Sequence, residues 1–414
     1  MRKFKAIDLF SGAGGLSEGF MQTGKFDFVA HVEWELPMVE TLRYNLVKRW
    51  GYKPEQAKKR VIKFDIQKTE ELINGNWMQE TIKDYGKDND ESVIKKGING
   101  LLKGKSIDVI IGGPPCQAYS IAGRAQDPHS MKNDYRNYLF ESFVKVVDYY
   151  KPKVFVFENV PGMLSAKPGD ELVIKRIYKA FADIGYEIRT PENMKKSIYS
   201  SADYQVPQDR ERVIIFGVNK NRGYDLETFY DELDFLKSKK KQKTVRDAIG
   251  EMPIIKPLDK PFKKGGRNYS HEVLERCDYT LHEARYHSLR DIEVFREWLS
   301  KDMNNLSNQK KLEFYTRVSG RVSNHNKYRN LEWGKPSPTV VSHLYKDGLM
   351  FIHPDIRQLR SITVREAAIL QTFPNDFEFI GSMAYCYKMI GNAVPVLFAK
   401  NIAKALVRAM EGKK

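Results

Sequence analysis

At 414 residues the chain is long for one domain and comfortable for two. Hydrophobic residues make up 41% and charged residues 29%, which supports a packed core and excludes a globally disordered chain. Against 53 acidic residues stand 69 basic ones, a formal charge of +16, the balance of a protein that binds a polyanion. The three cysteines, Cys116, Cys277 and Cys386, lie far apart with no C-x-x-C pair, so neither a disulfide framework nor a cysteine-rich zinc site is expected. No run of about 18 apolar residues argues for a membrane span. The N-terminal segment enters a strand-like run at once, without the apolar region and cleavage site of a signal peptide. A cytoplasmic protein is the expectation.

In chain order, Lys5–Phe10 reads as an apolar strand ending in the glycine loop Ser11–Gly15, and Phe28–Glu33 as a second strand. Residues 67–106 are polar and charged, and read as an insertion rather than a core element. Ile107–Ile111 and Val154–Phe157 are continuous apolar runs, as expected of strands buried on both faces of a parallel sheet. Between them Leu139, Phe143, Val147 and Tyr150 recur at helical spacing, and Pro152 follows as a stop. Leu172, Ile177, Phe181 and Ile184 predict a further helix, and Val213–Gly217 a further strand. This alternation implies an open α/β sheet. Residues 237–268 look like linker around a short docking segment, and 269–345 mix Arg, Lys, His, Tyr and Asn without periodicity. Thr363-Val364-Arg365-Glu366 is a capping box opening a helix that ends before Pro374, and Ala399–Met410 reads as a last helix.

Four places carry chemistry. The first is the loop Asp8-Leu9-Phe10-Ser11-Gly12-Ala13-Gly14-Gly15, whose glycines allow a tight turn and close approach of a ligand. Glu33 lies about 20 residues on, where a carboxylate can hold ribose hydroxyls, and Trp34 beside it can stack on an adenine. Alone this fits NAD, FAD or S-adenosylmethionine equally. The second is Gly112-Gly113-Pro114-Pro115-Cys116-Gln117-Ala118-Tyr119-Ser120, where two prolines stiffen the backbone ahead of the Cys116 thiol. The third, Phe157-Glu158-Asn159-Val160, again follows a buried strand. In a parallel sheet Cys116 and Glu158 then emerge at one edge. The fourth is Gln208-Asp209-Arg210-Glu211-Arg212, where period 2 puts Gln208, Arg210 and Arg212 on one face. Cys277 and Cys386 read as small buried hydrophobes. His282 and His287 are five apart and do not share a helix face, so no metal site is expected. His271, His325 and His343 read as DNA contacts or surface residues.

In this order the four elements resemble the cytosine-5 DNA methyltransferase family of restriction-modification type. The resemblance extends to Arg329-x-Leu331-x-Trp333-Gly334-Lys335-Pro336-Ser337-Pro338-Thr339 and to Gly391-Asn392-Ala393-Val394-Pro395, and so covers nearly the whole chain. It implies a doubly wound, Rossmann-like α/β catalytic domain over residues 1–240. A smaller, irregular target-recognition domain would span 241–350, and 351–414 would return to the catalytic domain. It implies S-adenosylmethionine as cofactor, S-adenosylhomocysteine as its product, and no metal. Phe10, Gly12, Ala13, Gly14, Gly15, Glu33, Trp34, Asp65, Ile66, Pro115, Leu139, Asn392 and Val394 would form the cofactor site. Cys116 would be the nucleophile and Glu158 the group at N3 and N4 of the base. Arg212, with Arg210 beside it, would meet the cytosine carbonyl. Tyr119 stands where the family often has Phe. The implied substrate is double-stranded DNA, sequence choice falling in roughly 244–345, for a monomer whose cognate restriction endonuclease acts separately. Against this stand a tRNA cytosine-5 methyltransferase of the same family and a DNA-binding protein that keeps the fold without catalysis. An NAD oxidoreductase would share only the glycine loop.

Overall fold

The computed structural model describes residues 2–115, 139–168, 171–346 and 348–412. Two compact units account for it. One comprises residues 1–204, 210–239 and 393–414; the other comprises 205–209 and 240–392.

The first unit is built on one twisted sheet. Its strands are β1 (Phe4–Leu9), β2 (Phe26–Glu33), β3 (Val61–Lys63), β4 (Val109–Gly112), β5 (Val154–Asn159), β6 (Tyr186–Glu187) and β7 (Ile198–Ser200). After the two-residue strand β8 (Gln208–Asp209), which pairs elsewhere, comes β9 (Glu211–Asn219). The order is β3-β2-β1-β4-β5-β9-β6, with β7 also on β9. β3, β2, β1, β4 and β5 run parallel. β9 is antiparallel to β5, β6 and β7. The predicted strand at 213–217 is therefore present but reversed. A run buried on both faces carries no signal of its direction.

Strand order turns back between β1 and β4. Leu9 pairs with Gly112, so the loops that follow these two strands leave the sheet side by side. In an open α/β sheet, ligands bind in such a crevice outside the carboxyl ends of the strands.

Residues 67–106 depart from expectation. They form helices at Thr69–Asn74, Gln79–Tyr85 and Glu91–Leu102. Leu72, Trp77, Val93, Ile98 and Leu102 join the same hydrophobic cluster as the sheet residues Ile7, Val32 and Ile110. The segment is thus a core element with a charged outer face. The Trp77 ring packs tilted against that of Phe64, centroids 4.5 Å apart, and its indole donates to the Glu71 carbonyl.

On the other side of the chain's course, the Val396–Glu411 helix packs against the Gly15–Met21 helix and the Leu226–Phe235 helix. The contact is close. A β-carbon on Gly19 would lie 2.5 Å from the Ala399 side chain and from the Val396 carbonyl oxygen, so only glycine lets these backbones meet. The stretch Met383–Glu411 has the length and mean hydropathy, 1.2, of a spanning segment, but 78% of that window is buried within the protein, as in a core helix.

The second unit contains a hairpin, β10 (Ile255–Lys264) with β11 (Arg267–Val273), and the bridge between β8 and β12 (Ser337–Pro338). Segment 237–268 is therefore not mere linker. It includes a helix at Val245–Ile249, capped reciprocally by Thr244 and Asp247. Within 269–345 lie helices at Leu289–Ser300 and Asn308–Ser319, packed through Phe295, Trp298 and Phe314. The Thr363–Glu366 capping box forms as predicted and opens a helix at Val364–Leu370.

This unit has a polar centre. The Arg360 guanidinium donates to both carboxylate oxygens of Glu366, at 2.7 and 2.6 Å, with both side chains fully buried. Arg360 also donates to Gln358 Oε1 at 2.6 Å, and Glu366 Oε2 accepts the Thr363 N–H. Around them sit buried histidines. His271 Nε2 lies 3.0 Å from the Gln358 carbonyl, His282 Nε2 lies 2.9 Å from the Pro253 carbonyl, and His287 Nε2 accepts from the Ser361 N–H. His271 is thus not a surface residue or a DNA contact; His325 and His343 are exposed. Among the described residues no cluster of three or more His, Cys, Asp or Glu is placed to hold a metal.

Candidate active site

The loop after β1 begins with a strained residue: Phe10 adopts φ +58°, a left-handed conformation costly for a bulky side chain. Gly12 and Gly14 continue the turn at φ +54° and +90°, and Gly14 caps the helix that starts at Gly15. The turn is tied to β2. Ser11 N–H donates to the Val32 carbonyl at 3.0 Å, and Gly12 N–H donates to Glu33 Oε2 at 2.9 Å.

Glu33 ends β2 almost buried. Its Oε1 accepts the N–H groups of Trp34 and Glu35, at 2.8 and 2.9 Å. Burial pushes the carboxyl up to about 7, against the lowering effect of those three backbone donors. Oε1 thus takes two donors, while Oε2, which accepts only the Gly12 N–H among the described residues, keeps lone-pair capacity for a hydroxyl. Trp34 next to it is 51% exposed, so its indole face is available to a planar partner. At the end of β3 the chain passes Asp65, whose carboxylate caps Gln67, and the buried Ile66.

One strand further, β4 delivers Gly113, Pro114 and Pro115. Cys116, with Gln117, Tyr119 and Ser120, lies outside the described residues, directly after Pro115. Glu158, the last residue but one of β5, lies beside this loop and is 8% exposed. A β-carbon on Gly113 would stand 2.7 Å from Glu158 Oε2, so glycine is what admits the carboxylate against the backbone. Asn159 Nδ2 donates to the Pro114 carbonyl at 3.3 Å, and Asn159 Oδ1 accepts the Val160 N–H, holding the two loops together.

The opposite wall is β9. Burial alternates from Gln208 to Arg212 as period 2 predicts, with Asp209 and Glu211 exposed. Arg212 Nε lies 2.7 Å from Glu158 Oε1, an ion pair that sequence reasoning did not anticipate because it depends on β9 lying next to β5. Arg212 Nη1 donates to the Glu211 carbonyl. Arg210 is buried. Gln208 belongs to the other unit, where its Oε1 accepts the Val340 N–H and its Nε2 donates to the Leu370 carbonyl. It braces backbone there, a part the motif did not reveal.

Leu139 opens the Leu139–Tyr150 helix, buried in the sheet's core cluster. Asn392 is the exposed last residue of the Met383–Asn392 helix in the second unit, and Val394 is buried in the first. Cys386 is fully buried, and burial pushes its thiol up to about 11, as for an inert core residue. Cys277 is half-buried, with its thiol 3.6 Å from the Tyr279 carbonyl.

Comparison with known proteins converges on one family. Residues 4–75 and 67–408 match the family model of the C-5 cytosine-specific DNA methylases. The Type II methyltransferase M.Bpa9945I of Bacillus paralicheniformis is 36% identical over 98% of this chain and 99% of its own length. The Type II methyltransferase M.PspPI of a Psychrobacter species is 32% identical over 99% of this chain and 80% of its own. Among solved structures, a prophage-encoded E. coli protein, a candidate DNA modification methyltransferase, superposes with a TM-score of 0.60 at 25% identity, covering 99% of this chain and all of its own. A glycine turn after β1, an acid at the end of β2 and Glu158 packed against Gly113 are thus set on a sheet of the kind found in these relatives: the chain belongs to the C-5 cytosine-specific DNA methylase family and is a DNA (cytosine-5-)-methyltransferase.

Proposed function

We propose that the protein methylates C5 of a cytosine within a specific duplex DNA sequence, through covalent attack of Cys116 on C6 of a flipped-out base. The observation that carries this reading is the Glu158–Arg212 pair standing against Gly113, three residues before Cys116 and at the sheet edge where strand order reverses.

Cytosine C5 is a poor nucleophile. Addition of the Cys116 thiolate to C6 turns the C5–C6 bond into an enamine, and C5 then accepts an electrophilic methyl group. Glu158 engages N3 and N4 of the base and supplies a proton as charge develops at N3. Arg212 donates toward O2; its Nη2 has no partner among the described residues, while its Nε orients Glu158. After methylation a base such as bound water takes the C5 proton, the C5–C6 double bond reforms as the thiolate leaves, and N3 returns its proton to Glu158. C5 and C6 are stacked inside duplex DNA, so the base must be rotated out, at a cost of about a few kcal/mol.

S-adenosylmethionine supplies the methyl group as part of a sulfonium and leaves as S-adenosylhomocysteine. The chain's residues fit it: Glu33 offers an acceptor-only carboxylate and Trp34 an open aromatic face. Phe10, Gly12, Ala13, Gly14 and Gly15 would surround its amino-acid portion, Asp65 and Ile66 its adenine edge, and Pro115, Leu139, Asn392 and Val394 the rest. Trp34→Ala is expected to weaken binding by about 1–3 kcal/mol through lost aromatic burial, read by calorimetry with S-adenosylhomocysteine. The ribose is held by ionised Glu33. Because that carboxyl titrates near 7, affinity should fall as pH drops below 7 and plateau above it. Equal affinity for wild type and variant, or a pH-independent wild type, contradicts the assignment.

Residues 1–240 and 351–414 form the catalytic domain in this reading, and 241–350 the target-recognition domain. The enzyme acts on host DNA in the cytoplasm as a monomer, as the modification half of a restriction-modification pair with a separate endonuclease. Transfer of tritiated methyl groups tests the substrate: label should enter duplex DNA as 5-methylcytosine. Preferential labelling of tRNA, or none of either, overturns it.

A further inference from the structure

We infer that the outer half of the β10–β11 hairpin is an arm that grips the DNA backbone and sets affinity without reading sequence. This rests on duplex DNA being the substrate.

Asp259–Asn268 is exposed almost throughout. It carries Lys260, Lys263, Lys264 and Arg267 against the single acid Asp259. No carboxylate among the described residues lies within ion-pair distance of the three lysines, and the contact of Arg267 with Glu283 is loose, at 3.9 Å. Four cations are therefore presented to solvent on one short ribbon.

A solvated surface run would show the same charges, but it would not need a scaffold. An isolated hairpin is marginal in water, and this one is held at its root. Ile255 N–H donates to Gln358 Oε1 at 3.1 Å, His271 is hydrogen-bonded to the Gln358 carbonyl, and Ser270 Oγ accepts the His287 N–H at 2.9 Å. Opposite Ser270 the first strand bulges, from Leu258 to Pro261, which bends the ribbon. Beyond the bulge the strands pair again. There Phe262 stacks on Tyr269 with centroids 5.2 Å apart and planes 15° from parallel, although Phe262 is half exposed. That cross-strand pair stiffens the ribbon where no core exists to do so. The turn Gly265-Gly266, at φ +55° and +80°, closes it with no side chain at the tip and nothing within 4 Å of either missing β-carbon.

A two-stranded ribbon of this kind fits the major groove or lies along its edge. Its chemistry decides what it does there. Lysine is a compact point charge that suits phosphate, whereas base edges are read by bidentate Arg, Asn or Gln. Three of the four cations are lysines, so the arm positions the duplex.

The test compares wild type with a variant carrying Lys260→Gln, Lys263→Gln, Lys264→Gln and Arg267→Gln. Binding to plasmid-derived duplex is measured across salt concentrations, and methylated positions are mapped by bisulfite sequencing. Each lost phosphate contact should lower the slope of log K against log salt by about 0.9, so three contacts reduce affinity roughly 500-fold at 0.1 M salt if the lines meet near 1 M. The methylated positions should not change. Arginine at positions 263 and 264 of the variant should restore most of the slope. An unchanged slope in a variant that still methylates overturns the arm, and so does a shifted set of methylated positions. A wild type that neither binds nor methylates duplex DNA overturns the substrate instead.

Discussion

Duplex DNA with 5-fluorocytosine at the target should trap the enzyme as a band stable to denaturing gel, only with S-adenosylmethionine present, and Cys116→Ser should abolish both trapping and methylation. Every turnover in the proposed route passes through a bond between the Cys116 sulfur and C6. That bond breaks only after C5 releases a proton, and fluorine cannot leave as a cation, so the adduct persists once the methyl group is in place. Serine is far less ionised than cysteine at neutral pH, so it cannot replace the thiolate. Glu158→Gln should slow methylation strongly without removing the thiol. Trapping by the Cys116→Ser protein, or an adduct peptide centred on Cys277 or Cys386, would assign the nucleophile elsewhere. Fully buried and pushed up to about 11, Cys386 is the poorer candidate of those two.

The second large effect is structural. Glu366→Ala should lower the stability of the second unit by about 3–5 kcal/mol, because it leaves the Arg360 guanidinium buried without its counter-ion. It also removes the acceptor for the Thr363 N–H at the start of the Val364–Leu370 helix. A paired change, Arg360→Met with Glu366→Leu, should recover much of the loss, since two apolar side chains do not carry the desolvation cost of two ions. Urea unfolding of the three proteins checks this, and a single variant as stable as wild type would show that the pair contributes nothing. The same centre makes the unit acid-sensitive. Burial and the Arg360 charge push His271 down to about 4 and His353 to about 3, and Arg360 holds Glu366 well below the usual carboxylate range. For the histidines the unfolded chain takes up protons from about 6.5 downward and the folded one does not. Their contribution is complete above about 6.5 and is lost from there down to about 4 for His271 and about 3 for His353. The share from Glu366 goes lower still. The urea midpoint should fall steadily as pH drops from 7 to 4.

What could be read from the sequence follows from where the information lies. The turn after β1, Glu33, the Pro-Pro-Cys loop and Glu158 all sit next to short apolar strands, and each strand's end is marked by Gly, Pro or a charged residue. Their proximity needed only the rule that parallel strands share a carboxyl edge. The Glu158–Arg212 pair needed the neighbour and direction of β9, which an all-apolar run does not encode. Trp77 was hidden because it lies in the loop between two short helices, and Val93 because its helix is charged outside and broken at Gly97, so no periodic stripe emerges. The β10 strand was masked by Pro257 and Pro261, which are tolerated because a two-stranded ribbon has only edges. His271, Arg360 and Glu366 look like surface residues by type. They are buried because each finds a partner: His271 meets the Gln358 carbonyl far along the chain, and Arg360, ahead of the helix, meets Glu366 inside it, a spacing that matches no helix or strand period.

The seat of the Val396–Glu411 helix has a consequence for biosynthesis. Its partner, the Gly15–Met21 helix, leaves the ribosome near the start of translation, while the helix itself follows the whole second unit. At about 5–20 residues per second the roughly 375 residues between the two helices take about 20–75 s, during which the flank around Gly19 stays uncovered. During that interval the nascent sheet exposes Phe20 and the groove that will receive Ala399, an apolar strip that a holding chaperone can occupy. A ribosome stalled before residue 396 would therefore release not a smaller working enzyme but a sheet with one side unsealed.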